Sequence, residues 1–144
     1  MNSFVRNIQV RWSDLDPNFH VRHSVYYDYG AYLRICYLNE HGVSSSFMSQ
    51  NNFGPILFRE ECIFKREIKL DDIVAIDLQL VKARADYSRW TIKHIITRND
   101  EHAATLIMDG AWIDTAKRKL TIPPQLAHNS FAAMPRSADF EAIK

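Results

Sequence analysis

The longest amphipathic pattern in the chain begins at Ser24. Val25, Tyr29, Tyr32, Leu33 and Cys36 recur at three- and four-residue intervals, and Tyr26, Leu33 and Tyr37 form a second stripe beside them. This spacing predicts a helix with a wide apolar face. Ser24 is placed to cap it, its hydroxyl accepting from a free backbone N–H, and Gly42 to end it in a left-handed conformation. About 18 residues at 1.5 Å each give roughly 27 Å. Ahead of the helix, Phe4 to Trp12 alternates loosely through Phe4, Arg6, Ile8 and Val10, which predicts a short strand entering the turn DLDPN. Behind it, Ser44 to Asn52 is polar and reads as a loop or a short irregular helix. The period then changes to two. Ile56, Phe58, Cys62 and Phe64 are expected on one face of a strand, Val74, Ile76, Leu78 and Leu80 on one face of a second. Trp90, Ile92 and Ile96 mark a third, and Leu106, Met108 and Trp112 a fourth.

The connectors KLDD, ARADYS and TRNDEH are short and polar, so the strands are expected to be antiparallel neighbours. An apolar helix of this length must be covered, and the only large surface available is the sheet. The expected fold class is therefore α+β, an antiparallel sheet of about five strands wrapped around a long central helix, the outline of a hotdog fold. Residues 1–124 form the expected domain. Pro123 and Pro124 close the pattern, and residues 125–144 are expected to be a weakly helical tail, flexible or docked on a neighbouring subunit.

Length agrees with this single core, since 144 residues bury roughly 70% of the surface exposed in the unfolded chain. With 18 basic and 17 acidic residues, the net charge of +1 gives no electrostatic case for nucleic acid or an anionic membrane. Any anionic partner must be met by a local patch. Cys36 and Cys62 lack the spacing of a disulfide framework or a zinc site and read as two buried thiols. The N-terminal MNSFVRNIQV has no cationic region followed by an apolar run, and no apolar segment reaches the roughly 18 residues of a membrane span. A cytoplasmic protein is expected.

The candidate chemistry lies in VRWSDLDPNFHVRHSVYYDYGAYLR, residues 10–34. Asp14, Asp16, His20 and His23 crowd into a polar interval between the first strand and the helix. Carboxylates in such a turn either cap backbone N–H groups or work chemically, and a histidine there is either a hydrogen-bonded structural residue or a proton carrier. The turn has no ligand pair at helical spacing and no nearby cysteine, so a metal site is not expected.

Three further stretches, PILFREECIFKREIKLDDIVAIDLQLV, ARADYSRWTIKHII and GAWIDTAKRKLTIPP, follow in order. Together with WSDLDPNFHVRHSVYYDYGAYLR they resemble the 4-hydroxybenzoyl-CoA thioesterase-like hotdog family, over roughly Val5 to Pro124. The resemblance implies that the second aspartate of D-x-D, Asp16, is the catalytic carboxylate. Pro17 matches the hydroxybenzoyl type. His23 falls where the short-chain acyl-CoA thioesterases of the Tol-Pal envelope system carry a histidine, seven residues after that aspartate. His20 and Val21 are similar to the G-H-V-N-N variant of related thioesterases, with Phe19 in place of its glycine and Arg22–His23 in place of its asparagines. The chain mixes the two patterns.

What the resemblance implies is hydrolysis of an acyl-CoA to a carboxylic acid and CoA. Asp16 serves as general base or nucleophile, and the N–H groups of His23, Ser24 and Val25 polarise the carbonyl at the helix start. His23 is expected to orient water or donate to the departing thiolate. Tyr26 and Tyr27 are the expected pocket aromatics. Lys82, Arg84 and Arg89, around the ARADYSR turn, are expected at the CoA phosphates or simply solvated. Glu60 sits on the apolar parity of its strand, and Glu61 falls where many relatives carry a glutamate. No cofactor is implied, CoA being part of the substrate, and the resemblance implies a homodimer or homotetramer with sites between subunits. Hydrolysis of an acyl-carrier-protein thioester, or acyl-CoA binding without turnover, are the rival readings.

Overall fold

Strand β2, Phe53–Phe64, forms one edge of a continuous eight-stranded sheet and pairs along its length with β6, Glu101–Asp114. The computed structural model describes residues 3–144. β6 pairs next with β5, Arg89–Arg98, and β5 is then shared by two short strands laid end to end. β3, Val74–Asp77, pairs with its C-terminal half and β4, Gln79–Arg84, with its N-terminal half. β1, Val5–Ile8, flanks β3, while β8, Arg136–Ile143, runs parallel to β4; β7, Lys119–Leu120, folds back antiparallel on the end of β6. The sheet is thus about five strands wide.

The second expected strand is split at Leu78, because Asp77, still paired with Val5 of β1, leaves the β5 ladder. Its carboxylate Oδ1 accepts from the Ile95 N–H at 2.6 Å, and its carbonyl accepts from His94 Nδ1 at 2.7 Å. The inward parity survives the break, with Val74, Ile76, Leu78 and Leu80 all buried. The first expected strand does not keep its parity. A bulge between Leu57 and Arg59 turns Phe58 outward, half exposed beneath the Arg89 guanidinium, and puts Glu60, Cys62 and Phe64 on the inner face after it.

The helix α1 covers Val25–Glu40, 16 residues. Val25, Tyr26, Tyr29, Leu33 and Tyr37 are buried in one core with Ile76, Ile92, Ile96, Leu106 and Met108 of the sheet. Tyr32, expected on the apolar stripe, is instead 55% exposed, because the buried face follows Val25–Tyr29–Leu33–Tyr37 and Tyr32 lies beyond its rim. Gly30 sets how close helix and sheet come: a Cβ there would lie 2.9 Å from a Leu106 methyl and 3.2 Å from the His94 ring. Gly110 does the same within the sheet, its vacant side taken by the Trp90 indole, which a Cβ there would overlap. Gly42, at φ +83°, lies just past the helix as expected.

Two connections are more ordered than expected. Ser45–Gln50 is a short helix, α2, capped by the Ser44 hydroxyl accepting from the Phe47 N–H at 3.1 Å. The segment after Pro124, expected as a flexible or partner-docked tail, is part of this chain's own fold. Gln125–Ala132 forms helix α3, and β8 completes an edge of the sheet. Phe131 is buried against Trp90 and Trp112, and the Tyr37 hydroxyl donates to the Ser130 carbonyl at 2.7 Å. The buried face of α3 is short, Ala127, Ser130 and Phe131, so it leaves no long apolar stripe in the sequence. Among the described residues no helix is long and apolar enough to cross a membrane. Both cysteines are free and half-buried, and burial pushes the Cys62 thiol up to about 11.

Candidate active site

The turn between β1 and α1 is built on Asp16. Its carbonyl accepts from the Phe19 N–H at 3.0 Å and its N–H donates to the His20 carbonyl at 2.8 Å. The carboxylate Oδ1 accepts from the N–H groups of Asn18 at 2.8 Å and His20 at 3.3 Å. Pro17 and Asn18 suit the first positions of such a turn, and Phe19 closes it in the left-handed region at φ 68°. One face of the Asp16 carboxylate is therefore tied down. The other oxygen, Oδ2, has His20 Nδ1 at 3.6 Å and opens on a cleft. Burial works to raise the carboxyl, but N–H donation from Asn18 and His20 and the nearby imidazole outweigh it, so Asp16 titrates below the usual aspartate range. It is a carboxylate at neutral pH.

The cleft measures about 290 Å³ and is lined by Asp16, His20, His23 and Tyr26 from the turn and α1, by Phe64 at the end of β2, and by Lys65, Arg66 and Glu67 just beyond it. Both histidines thus reach it, on different terms. His20 is bracketed by two carboxylates, Asp16 at 3.6 Å and Glu67 at 3.3 Å from its two nitrogens. His23 is exposed, and its ring makes no hydrogen bond among the described residues. Tyr26 is buried at the rear of the cleft with its ring edge-on to Phe64 at 4.9 Å, and burial lifts its hydroxyl to about 12.

Asp14 has a different role. It is 1% exposed and accepts from the Arg11 N–H and guanidinium and from the Tyr29 hydroxyl at 3.1 Å. Burial works to raise its carboxyl, but Arg11 and Tyr29 hold it below the usual range. The same Asp14 carbonyl accepts from the Arg22 N–H at 2.8 Å, so this residue fastens the turn to the helix start.

The helix start departs from the expectation in two respects. Ser24 stands at the N-cap position, but its backbone is already helical and its hydroxyl caps nothing; it accepts instead from Arg22 Nε at 3.4 Å. The Val25 N–H is consumed by the Arg22 carbonyl at 2.9 Å, and the Val25 side chain is core. Of the three expected donors, His23 and Ser24 keep N–H groups with no acceptor among the described residues.

Tyr27 is half-buried against the core and does not line the cleft. Lys82, Arg84 and Arg89 do not line it either. They lie along β4 and at the start of β5, where Arg89 borders a separate cleft with Phe58, Thr91 and Asp109. The cations that do line the Asp16 cleft are Lys65 and Arg66, which the sequence reading passed over. Their signal was present as the basic run KRE at the end of β2, which brings it beside the turn. Arg66 is partly tied, donating to the His102 carbonyl at 2.6 Å. Glu61 pairs with Arg59 at 3.6 Å on the outer face, and Glu60 lies on the inner face 3.8 Å from Arg34. No group of three or more His, Cys, Asp or Glu among the described residues is placed to hold a metal ion.

Known proteins share this fold. The family model described as thioesterase-like superfamily matches residues 10–130. A hypothetical protein from Staphylococcus aureus, solved in complex with CoA, is 19% identical with a TM-score of 0.84, over 91% of this chain and 82% of that one. A 1,4-dihydroxy-2-naphthoyl-CoA thioesterase from Synechocystis is 18% identical with a TM-score of 0.82, over 92% and 97%. A thioesterase from Thermus thermophilus, complexed with coenzyme A and Zn, is 26% identical with a TM-score of 0.73, over 90% and 91%. No curated protein matches. With the match spanning the turn, α1 and every strand from β2 to β7, the chain belongs to the thioesterase-like superfamily and has the hotdog fold.

Proposed function

We propose that this chain hydrolyses an acyl-CoA thioester to a carboxylic acid and CoA. The observation that carries the reading is an ionised carboxylate, Asp16, open on one side to a cleft it shares with the start of α1. Water adds to the thioester carbonyl while its proton passes to Asp16; the C–S bond then breaks and the leaving thiolate takes a proton up. Direct attack by Asp16 on the carbonyl is the other route, and both require the ionised form. The free N–H groups of His23 and Ser24, with the positive end of the helix dipole behind them, face the charge that develops on the oxygen. His23 serves the water or the thiolate, since its ring is free, whereas His20 is held between Asp16 and Glu67.

Lys65 and Arg66 line the Asp16 cleft and are the cations this reading assigns to the CoA phosphates, Arg66 sharing its charge with Glu101 at 3.6 Å. Lys82, Arg84 and Arg89 would serve only a cleft completed by another subunit. The open edge of β2, with Leu57, Phe58, Ile63 and Phe64 exposed along it, favours a homodimer through that edge. A monomeric mass by light scattering would remove this part of the reading.

CoA release from a panel of acyl-CoA esters tests the activity, with acyl-carrier-protein thioesters run beside them. Turnover of the protein-linked esters alone would favour the carrier-protein reading. Binding of acyl-CoA with no release above background would make the chain a binding module. Turnover is expected to fall further in His23→Ala than in His20→Ala, and equal losses would remove the separate role assigned to His23.

A further inference from the structure

Glu67 stands against the charge of the cleft it lines. Its side chain is 64% exposed beside Lys65 and Arg66, where a carboxylate repels the phosphates those cations would bind. An exposed carboxylate is ordinarily left to water, but this one is aimed at a single group. Its Oε2 lies 3.3 Å from His20 Nε2, the one ion pair Glu67 makes among the described residues.

Backbone places this contact. Ile68, the next residue, is wholly buried, and its carbonyl accepts from the Val21 N–H at 2.8 Å. An isolated antiparallel bridge joins His20 to Lys69, and another joins Val21 to Leu15. Residues 68 and 69 are thus stitched to the turn that carries Asp16, and Glu67 is brought beside His20 with only its own side chain left to order. The other ring nitrogen, Nδ1, is 3.6 Å from Asp16 Oδ2. Glu67, His20 and Asp16 therefore form one row along a single cleft. A neutral imidazole carries one N–H, and the partner of one nitrogen decides what the other presents. Glu67, the nearer carboxylate, draws a proton to Nε2 and so fixes Nδ1 as the nitrogen that faces Asp16.

We propose that Glu67 is a positioning residue for the hydrolysis: by accepting from His20 Nε2 it holds the ring against Asp16 Oδ2, and the ring holds that oxygen in one orientation toward the cleft. Oδ1 is already tied by the N–H groups of Asn18 and His20. A ring fixed beside Oδ2 then stops the carboxylate turning about its Cβ–Cγ bond, away from a water in the cleft. In this role Glu67 touches neither the water nor the thioester carbonyl and acts through His20 alone. The role rests on the thioesterase reading, with Asp16 as its base.

A double-mutant cycle separates action through His20 from a direct effect on the substrate. With the acyl-CoA ester that the parent cleaves fastest, Glu67→Ala is expected to lower kcat by roughly five- to tenfold without raising KM, a fraction of what a positioned base supplies. Glu67→Gln keeps an oxygen for Nε2 and is expected to restore most of the rate. In a His20→Ala background, Glu67→Ala is expected to change kcat by less than about twofold. A loss of the same size in that background, or a fall in KM with kcat intact, would make Glu67 a charge on the path of CoA and overturn the proposal. So would parent kinetics in Glu67→Ala. The second readout needs no turnover. The His20 ring Cε1–H signal, identified by its loss in His20→Ala, is followed by ¹H–¹³C NMR in the unliganded protein at a single pH. It is expected to move in Glu67→Ala and to return toward its parent position in Glu67→Gln. A signal that stays put in Glu67→Ala shows a ring not held by Glu67, which also overturns the proposal. A parent that releases no CoA fails the hydrolase reading instead, while the ring signal still reports whether Glu67 holds His20.

Discussion

Asp16→Asn is expected to lower CoA release by roughly a hundredfold to ten-thousandfold, the range typical of a positioned general base, while leaving the melting temperature unchanged. The two halves of this result have separate causes. Asn keeps a side-chain oxygen where Oδ1 accepts from the N–H groups of Asn18 and His20, so the turn retains its bonds. What it loses is the negative oxygen facing the cleft. A variant as fast as the parent would remove Asp16 from the chemistry, and a variant that melts early would show that the charge holds the turn. The pH profile adds a check on the parent. Because the folded pKa lies below the ordinary value of 3.8, the acid limb of kcat/KM set by Asp16 is expected below that value. An acid limb above the ordinary aspartate range would mean that another group controls the rate.

Asp14→Ala is expected to give the opposite pattern, a loss of stability ahead of any loss of chemistry. It strands the buried Tyr29 hydroxyl and frees the Arg11 N–H and guanidinium, while Arg11 itself is mostly exposed and regains water. An unsatisfied buried hydroxyl together with a lost charged acceptor costs roughly 2–3 kcal/mol, or about 6–12 °C in Tm for a chain of this size. The pH dependence fixes the sign. Asp14 titrates below its unfolded value of 3.8 when folded. Its contribution is therefore fully present above that value and is lost as pH falls through the lower, folded one. Parent and variant are expected to converge in acid and separate near neutrality. Equal thermal and chemical stability of the two at neutral pH would contradict the structural role of Asp14.

These two aspartates are two residues apart in DLD and have the same side chain, so nothing local separates them. The division appears when the chain closes. Tyr29, one turn into α1, faces back on Asp14, while the turn at Phe19 swings Asp16 toward the end of β2. The family resemblance selected Asp16, but from the residues alone both carboxylates read equally well as caps. The same holds for the cations. Lys82, Arg84 and Arg89 are conspicuous beside a turn, whereas Lys65 and Arg66 reach the Asp16 cleft because the twelve residues of β2 carry them there. Ser24 illustrates a smaller failure: residue type and position predict a cap, but the backbone enters the helix one residue early, and its hydroxyl is used by Arg22.

The helix, the inward parity of most strands and the enclosure of one by the others were legible in the order of residues, because hydrophobic periodicity is a local property and a buried face must be covered wherever it occurs. So were the D-x-D turn and the helix start that carry the family resemblance. Features that depend on long-range register emerged only in the folded chain. They include the bulge that turns Phe58 outward, the split at Leu78, the docking of α3 through Phe131 and the arrival of Lys65 and Arg66 beside Asp16. The largely apolar cavity of about 100 Å³ lined by Arg34, Trp90, Trp112 and Phe131 is drawn from widely separated strands and α1, with α3 as one wall, and nothing in their sequence neighbourhoods marks it. Such a cavity exists only once the sheet has curled, since its walls come together from positions up to 100 residues apart, Arg34 to Met134.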